Sequence, residues 1–195
     1  MGSGQSGLYS GTHGSYALIL RQVNFKARAT SSSINIIALR TVGLDLQEHP
    51  RENTLTTKQK RNIKKKIASR KATQKEYKQY ESDRRYANRR KAGVRRFWDQ
   101  EKARLMAGLK PTRNWSESQR NEILHNRRPT YKGKPLQGHH AYSASKFPHL
   151  ANRGEVIFPV TFDEHLQGWH GGNYQNSLPG KPIRYETKHD FRREK

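Results

Sequence analysis

From Lys58 to Arg96 the chain carries seventeen Lys or Arg residues, and only Glu76, Glu81 and Asp83 oppose them. This run limits the fold before any other feature does. Like charges one helical turn apart destabilise a helix. A segment with a surplus of fourteen cations therefore stays on the solvated surface and needs an anion from outside. The imbalance extends to the whole chain, where 39 Lys and Arg face 16 Asp and Glu for a net charge of +23. A chain this basic repels itself unless it meets a polyanion. Nucleic acid, an anionic membrane surface and an acidic protein are the partner classes that remain, and nucleic acid fits best. Only 31% of the 195 residues are hydrophobic, against about 45–50% in ordinary globular domains. A small compact module with a helical extension is expected, not one large core.

Four regions follow from the local patterns. Residues 1–50 begin Gly- and Ser-rich and form a poorly defined segment; its apolar runs, Ala17 to Leu20 and Ile34 to Leu39, read as short strands or a remnant. Residues 55–130 form a basic helical region. Thr56 with Gln59 and Thr73 with Glu76 are capping boxes, each ahead of apolar residues at helical spacing. Gly93 reads as an interruption, so two or three helices are expected between 57 and 108. Ser116 with Gln119 marks a further short helix. Tyr77, Tyr80, Tyr86, Phe97 and Trp98 read as the thin core of a helical hairpin. Lys64, Lys65, Arg84, Arg85, Arg89, Arg90, Arg95 and Arg96 are the candidate nucleic-acid contacts. Residues 131–185 carry the chemistry, and 186–195 form a basic tail. The chain has no cysteine, so any metal must be held by His, Asp, Glu or Asn. No stretch reaches the ~18 apolar residues of a membrane span, and the start lacks a charged signal region. Membrane insertion is not expected, and action in a cytoplasm, after secretion or specialised delivery, is.

Five of the nine histidines fall between 139 and 170. Gln137 to Tyr142 reads as a strand after a Gly/Pro turn, and Glu155 to Val160 as a second. Pro159 marks that second strand as an edge or an end. Thr161 with Glu164 caps a helix that carries His165, with His170 and Gly171-Gly172 at its close. The sum is strand, loop, strand, helix, with histidines at both ends: an α+β chain whose C-terminal part is a ββα-metal module. Adjacent residues of a strand point to opposite faces, so of His139 and His140 one can ligate a metal while the other addresses a water. His13, His49, His125 and His189 read as capping or core histidines, and His149 as structural.

Gly138-His139-His140, then His165, then Trp169-His170-Gly171-Gly172-Asn173, resemble the GHH-type nuclease toxins of the HNH/endonuclease-VII-like superfamily (His-Me finger nucleases) of bacterial polymorphic toxins. The resemblance covers about 138–173 and extends less specifically back to about 55. It implies a metal-dependent endonuclease hydrolysing phosphodiester bonds, of DNA before RNA. His140 would be the general base. His139 and His165 would be metal ligands, and His170 a third ligand or a phosphate contact. Asn152, Glu164 and Asn173 would be supporting residues. It also implies one divalent ion (Zn, Mg, Mn or Ni) and an acidic immunity protein as partner. The chain departs from the pattern in two places. His165 and His170 stand five residues apart, where many related nucleases have four. In a regular α-helix such residues diverge by about 140°, so His170 reaches the metal only if the helix ends near Gly168. The central Asn of the pattern is not obvious, with Asn152 and Asn173 as candidates. Two other readings fit part of the sequence: a non-catalytic nucleic-acid-binding protein, and a mobile-element HNH endonuclease without a toxin role.

Overall fold

The computed structural model describes residues 33–52, 54–184 and 190–192. The run Ala17 to Leu20, His13, His189 and most of the tail lie outside them. The described helices are α1 (Ser33–Arg40), α2 (Thr57–Ala68), α3 (Gln74–Met106) and α4 (Glu117–Leu124). Two short antiparallel pairs follow, β1 (Thr130–Tyr131) with β2 (Lys134–Pro135), and β3 (Gln137–His140) with β4 (Ile157–Val160). A turn wound as a π-helix, Glu164–Trp169, closes the module. The α+β class is as expected.

The capping boxes ahead of α2, α3 and α4 form. Thr56, Thr73 and Ser116 each accept from the backbone three residues on, and Gln59, Glu76 and Gln119 return the bond. Two sequence readings are corrected. The run Ile34 to Leu39 is helical, and Ile37 is fully buried against Ala141, Phe158, Val160 and Trp169. Gly93 does not interrupt: α3 runs unbroken for 33 residues. The glycine is there because the loop between β3 and β4 presses on the helix. A Cβ at 93 would lie 2.5 Å from the Ala151 carbonyl oxygen. Both strands are shorter than expected, since Gly154–Val156 forms a 3₁₀ turn before β4.

The few acids of the basic run are all paired, Asp83 inside the fold and Glu76 and Glu81 on its surface. Buried Asp83 accepts from Arg51 at 2.7 Å, Lys60 at 3.0 Å and the Leu55 amide at 3.1 Å, which ties the entry to α2 onto α3. Glu76 pairs with Lys66, and Glu81 with Arg84. Further along α3, fully buried Glu101 accepts from the Thr112 amide, the Thr112 hydroxyl, Trp115 Nε1 and Arg104. That carboxylate fixes the crossover into α4. With these acids each taken by one or two cationic partners, most of the cations of α2 and α3 remain unneutralised on the surface.

β3 and β4 align His139 with Phe158 and His140 with Ile157. Their one face rests on α1 and Trp169, their other on α3, where Phe97, Phe147, Leu150, Val156 and Ile157 form the core. The β1–β2 turn puts Lys132 and Gly133 at φ 48° and 73°, the pair of positive angles that a two-residue type I′ turn requires.

Candidate metal centre

The pleat of β3 separates the two leading histidines. His139 turns to the α1 side and is buried against Trp169, with ring centroids 4.4 Å apart. His140 turns to the α3 side, where its Nε2 donates to the Ala151 carbonyl at 3.0 Å.

The π turn brings the other two histidines to His139. His170 N donates to His165 O at 3.2 Å, an i to i+5 bond. Such a turn places residues five apart on one face, where α geometry would splay them. The expectation that His170 needs the helix to end at Gly168 is thereby corrected. Both ends of the turn are fixed by tertiary contacts. Glu164 makes a bidentate pair with buried Arg113 at 2.6 and 2.8 Å, and closes a capping box on Thr161. Trp169 is packed between Phe158 and His139.

The result is a triangle. Ring centroids lie 5.0 Å apart for His139–His165 and 4.9 Å for both His139–His170 and His165–His170. One nitrogen from each falls within 4.8 Å of the others. The tautomers suit a cation. His165 Nδ1 donates to Gln137 Oε1 and His170 Nδ1 to the Asn176 carbonyl, so both Nε2 lone pairs are free for a ligand, the outer-shell arrangement usual for metal-bound histidine. Tyr174 stands edge-on to both rings. Burial, with His165, His170 and His140 near, holds His139 well below its ordinary pKa. Burial, reinforced by His170 and His140, lowers His165 to about 4. Both imidazoles are neutral ligands at neutral pH.

His140 stands apart from the triangle. Burial lowers its pKa to about 4, although the bond to Ala151 works the other way; nearby Arg90 lowers it further. A carbonyl can only accept, so Nε2 carries the proton and Nδ1 presents a lone pair.

The supporting residues are distributed. Glu164 is the buried anchor of the π turn. Asn152 lies in the β3–β4 loop, where its side chain and its carbonyl accept from Arg89 and Arg96. Asn173 sits in the exposed turn after His170 and bonds the Gln175 amide. Neither joins the triangle. Of the expected nucleic-acid contacts, Arg89 and Arg96 hold the loop and Arg84 pairs with Glu81; Lys64, Lys65, Arg85, Arg90 and Arg95 are exposed. A groove of about 640 Å³ runs between α3 and the free edge of β3. Lys91, Arg95, Arg127 and Arg128 line it, and it ends at Gln137 and Gly138. Sequence reasoning did not single out Gln137, Lys91 or Ala151. Gln137 could have been found, since it shares a strand face with His139.

Residues 80–161 match the family described as a GHH signature containing HNH/Endo VII superfamily nuclease toxin. The match takes in most of α3 along with the His139–His140 pair, and stops short of His165 and His170. No curated protein and no solved structure shows significant similarity.

Proposed function

We propose that the chain, whose residues 80–161 match the GHH-signature HNH/Endo VII superfamily nuclease toxins, is a metal-dependent endonuclease acting on DNA in preference to RNA. The observation that carries the reading is the convergence of His139, His165 and His170 beside a fourth imidazole fixed in the opposite tautomeric sense. A non-catalytic binder would account for the charge but not for that geometry.

A divalent ion held by the three imidazoles would supply charge neutralisation at the scissile phosphate and its leaving oxygen. His140 accepts a proton from water at Nδ1, its Nε2–H held by the Ala151 carbonyl. In the free protein it is a weak base, since its pKa is about 4. An anionic phosphate beside it favours the protonated form, so substrate strengthens the base where it is needed. Arg90 is electrostatically coupled to His140 and exposed, and it serves to position the phosphate. The basic groove receives the flanking backbone, and the surface of α2 and α3 adds affinity through counterion release. The preference for DNA rests on the habit of the superfamily.

The match to a nuclease-toxin family supports a toxin role. That role calls for delivery into a target cell and for an acidic immunity protein to mask the +23 surface in the producing cell. No helix among the described residues is long and apolar enough to cross a membrane.

The test compares wild type with His140→Ala on plasmid DNA, with and without a chelator. We expect cutting that needs a divalent ion and is lost in the variant, while binding persists. Affinity should fall with salt on a log–log slope of roughly −4 to −8, for about five to nine phosphates engaged on duplex DNA. Binding without cutting under every divalent ion tried would sink the enzymatic reading.

A further inference from the structure

We propose that Asp45, His49 and His149 form a second divalent-metal site, structural in role, with the mixed imidazole and carboxylate donors that take zinc. Asp45 and His49 lie in the segment after α1. His149 lies about a hundred residues on, in the 3₁₀ turn Pro148–Leu150 of the β3–β4 loop. In sequence each histidine stands alone; the fold makes them neighbours.

One donor atom from each residue falls within 4.8 Å of the others. The two imidazoles meet edge to face with centroids 4.9 Å apart. Asp45 Oδ1 is engaged by the Gln47 amide at 2.9 Å. That leaves Oδ2 facing both rings, 2.9 Å from His49 Nε2 and 3.9 Å from His149 Nε2. The Asp45 carbonyl oxygen, 2.9 Å from His149 Nε2, is a fourth donor. Zinc with ligands at about 2.0–2.1 Å in tetrahedral array requires donor separations of about 3.3 Å. The separations of 2.9 and 3.9 Å lie on either side of that value, and an ion would replace the protons that join both Nε2 atoms to Asp45 oxygens. Asp45 and His49 are exposed, which gives an ion a way in. Two cationic side chains of the adjoining elements are already occupied: Lys146 pairs with Glu48, and Arg89 bonds the His149 carbonyl and Asn152.

An ion here would staple the 45–51 segment to the loop that carries Ala151. Two backbone bonds already run between them, from His49 N to Lys146 O and from Arg51 N to Ser145 O. The staple bears on His140 through the Ala151 carbonyl, two residues beyond His149. Metal binding at this site stands whether or not the chain cleaves nucleic acid.

The experiment loads the full chain with zinc, removes the excess by gel filtration and measures metal content by mass spectrometry. We expect about two zinc per chain in wild type and about one in each of His49→Ala, Asp45→Asn and His165→Ala/His170→Ala. Circular dichroism would verify the fold of each variant. Because the chain has no cysteine, His49→Cys provides a positive signal: loaded with cobalt, it should show a thiolate-to-cobalt absorption absent from wild type. Full zinc content in His49→Ala, or no such band in His49→Cys, overturns the site and shows that hydrogen bonds alone hold the cluster. A single zinc in wild type that only His165→Ala/His170→Ala removes overturns this site and leaves the proposed nuclease centre standing. A single zinc that only His49→Ala and Asp45→Asn remove supports this site and overturns the other.

Discussion

Replacing Gly93 by alanine tests whether the Ala151 carbonyl sets the base. The new methyl carbon would lie 2.5 Å from that oxygen and 3.3 Å from both its carbon and Asn152 Cα. Restoring even a 3.0 Å contact requires the carbonyl or the helix to give by about 0.5 Å, and neither moves easily in a close-packed interior. Ala151 is fully buried. The His140 bond starts at 3.0 Å, so the same displacement takes it to the limit of a hydrogen bond, about 3.5 Å, or drags the imidazole along. Misplacement of a reacting group by about 1 Å costs on the order of 10²-fold, so kcat should fall about 10- to 100-fold. Stability changes less: alanine gains about 1 kcal/mol of helix propensity and overpacking costs about 1–3 kcal/mol. The assay is single-turnover cleavage of a labelled duplex, with DNA affinity, metal content and melting temperature measured beside it. The three companions should stay near wild type, and the acid limb of kcat should move lower, because the carbonyl bond is what raises the His140 pKa. In a His140→Ala background Gly93→Ala should add nothing to the loss. A folded Gly93→Ala enzyme that cuts at the wild-type rate would refute the reasoning.

Three further outcomes are expected. In the metal-free protein stability should fall as pH drops from about 6.5 to about 4. His140 has its pKa depressed to about 4 in the fold, so the unfolded chain binds the extra proton across that window, at a cost of about 3 kcal/mol; chemical denaturation at pH 7 and pH 4 measures it, and a flat profile would contradict the buried neutral imidazole. Glu164→Gln strips a buried guanidinium of its carboxylate, which costs about 3–5 kcal/mol and should also lower zinc affinity, because Glu164 anchors the π turn; unchanged melting would reject that role. Deleting exposed Gln167 should convert the π turn to an α turn with the histidines four apart and still on one face, so zinc binding should survive, and its loss would show that the wider turn itself is needed.

The parts of the site that the sequence made legible depend on local geometry. Thr56, Thr73, Ser116 and Thr161 announce their helix starts because a capping box closes over three residues. His139 and His140 could be assigned opposite faces because strand alternation is a property of the backbone. Gly93 misled for the converse reason. Judged locally it weakens a helix, but its absent side chain serves a loop almost sixty residues away. The run from Ile34 to Leu39 was ambiguous because a short apolar run fits a buried helix and a buried strand equally.

The amino-acid order by itself determined the basic surface, the helix starts and the histidine types available for chemistry, since each is set by charge count or by bonds between near neighbours. Tertiary structure alone decided which histidines meet. Whether the chain after Thr161 winds with bonds to the fourth or the fifth residue is a small local difference. It is resolved by anchoring Glu164 on Arg113 and Trp169 between Phe158 and His139. Asp45 and His149 likewise acquire a relation only when loop and N-terminal segment pack together, because convergence of side chains a hundred residues apart is written in no local bond.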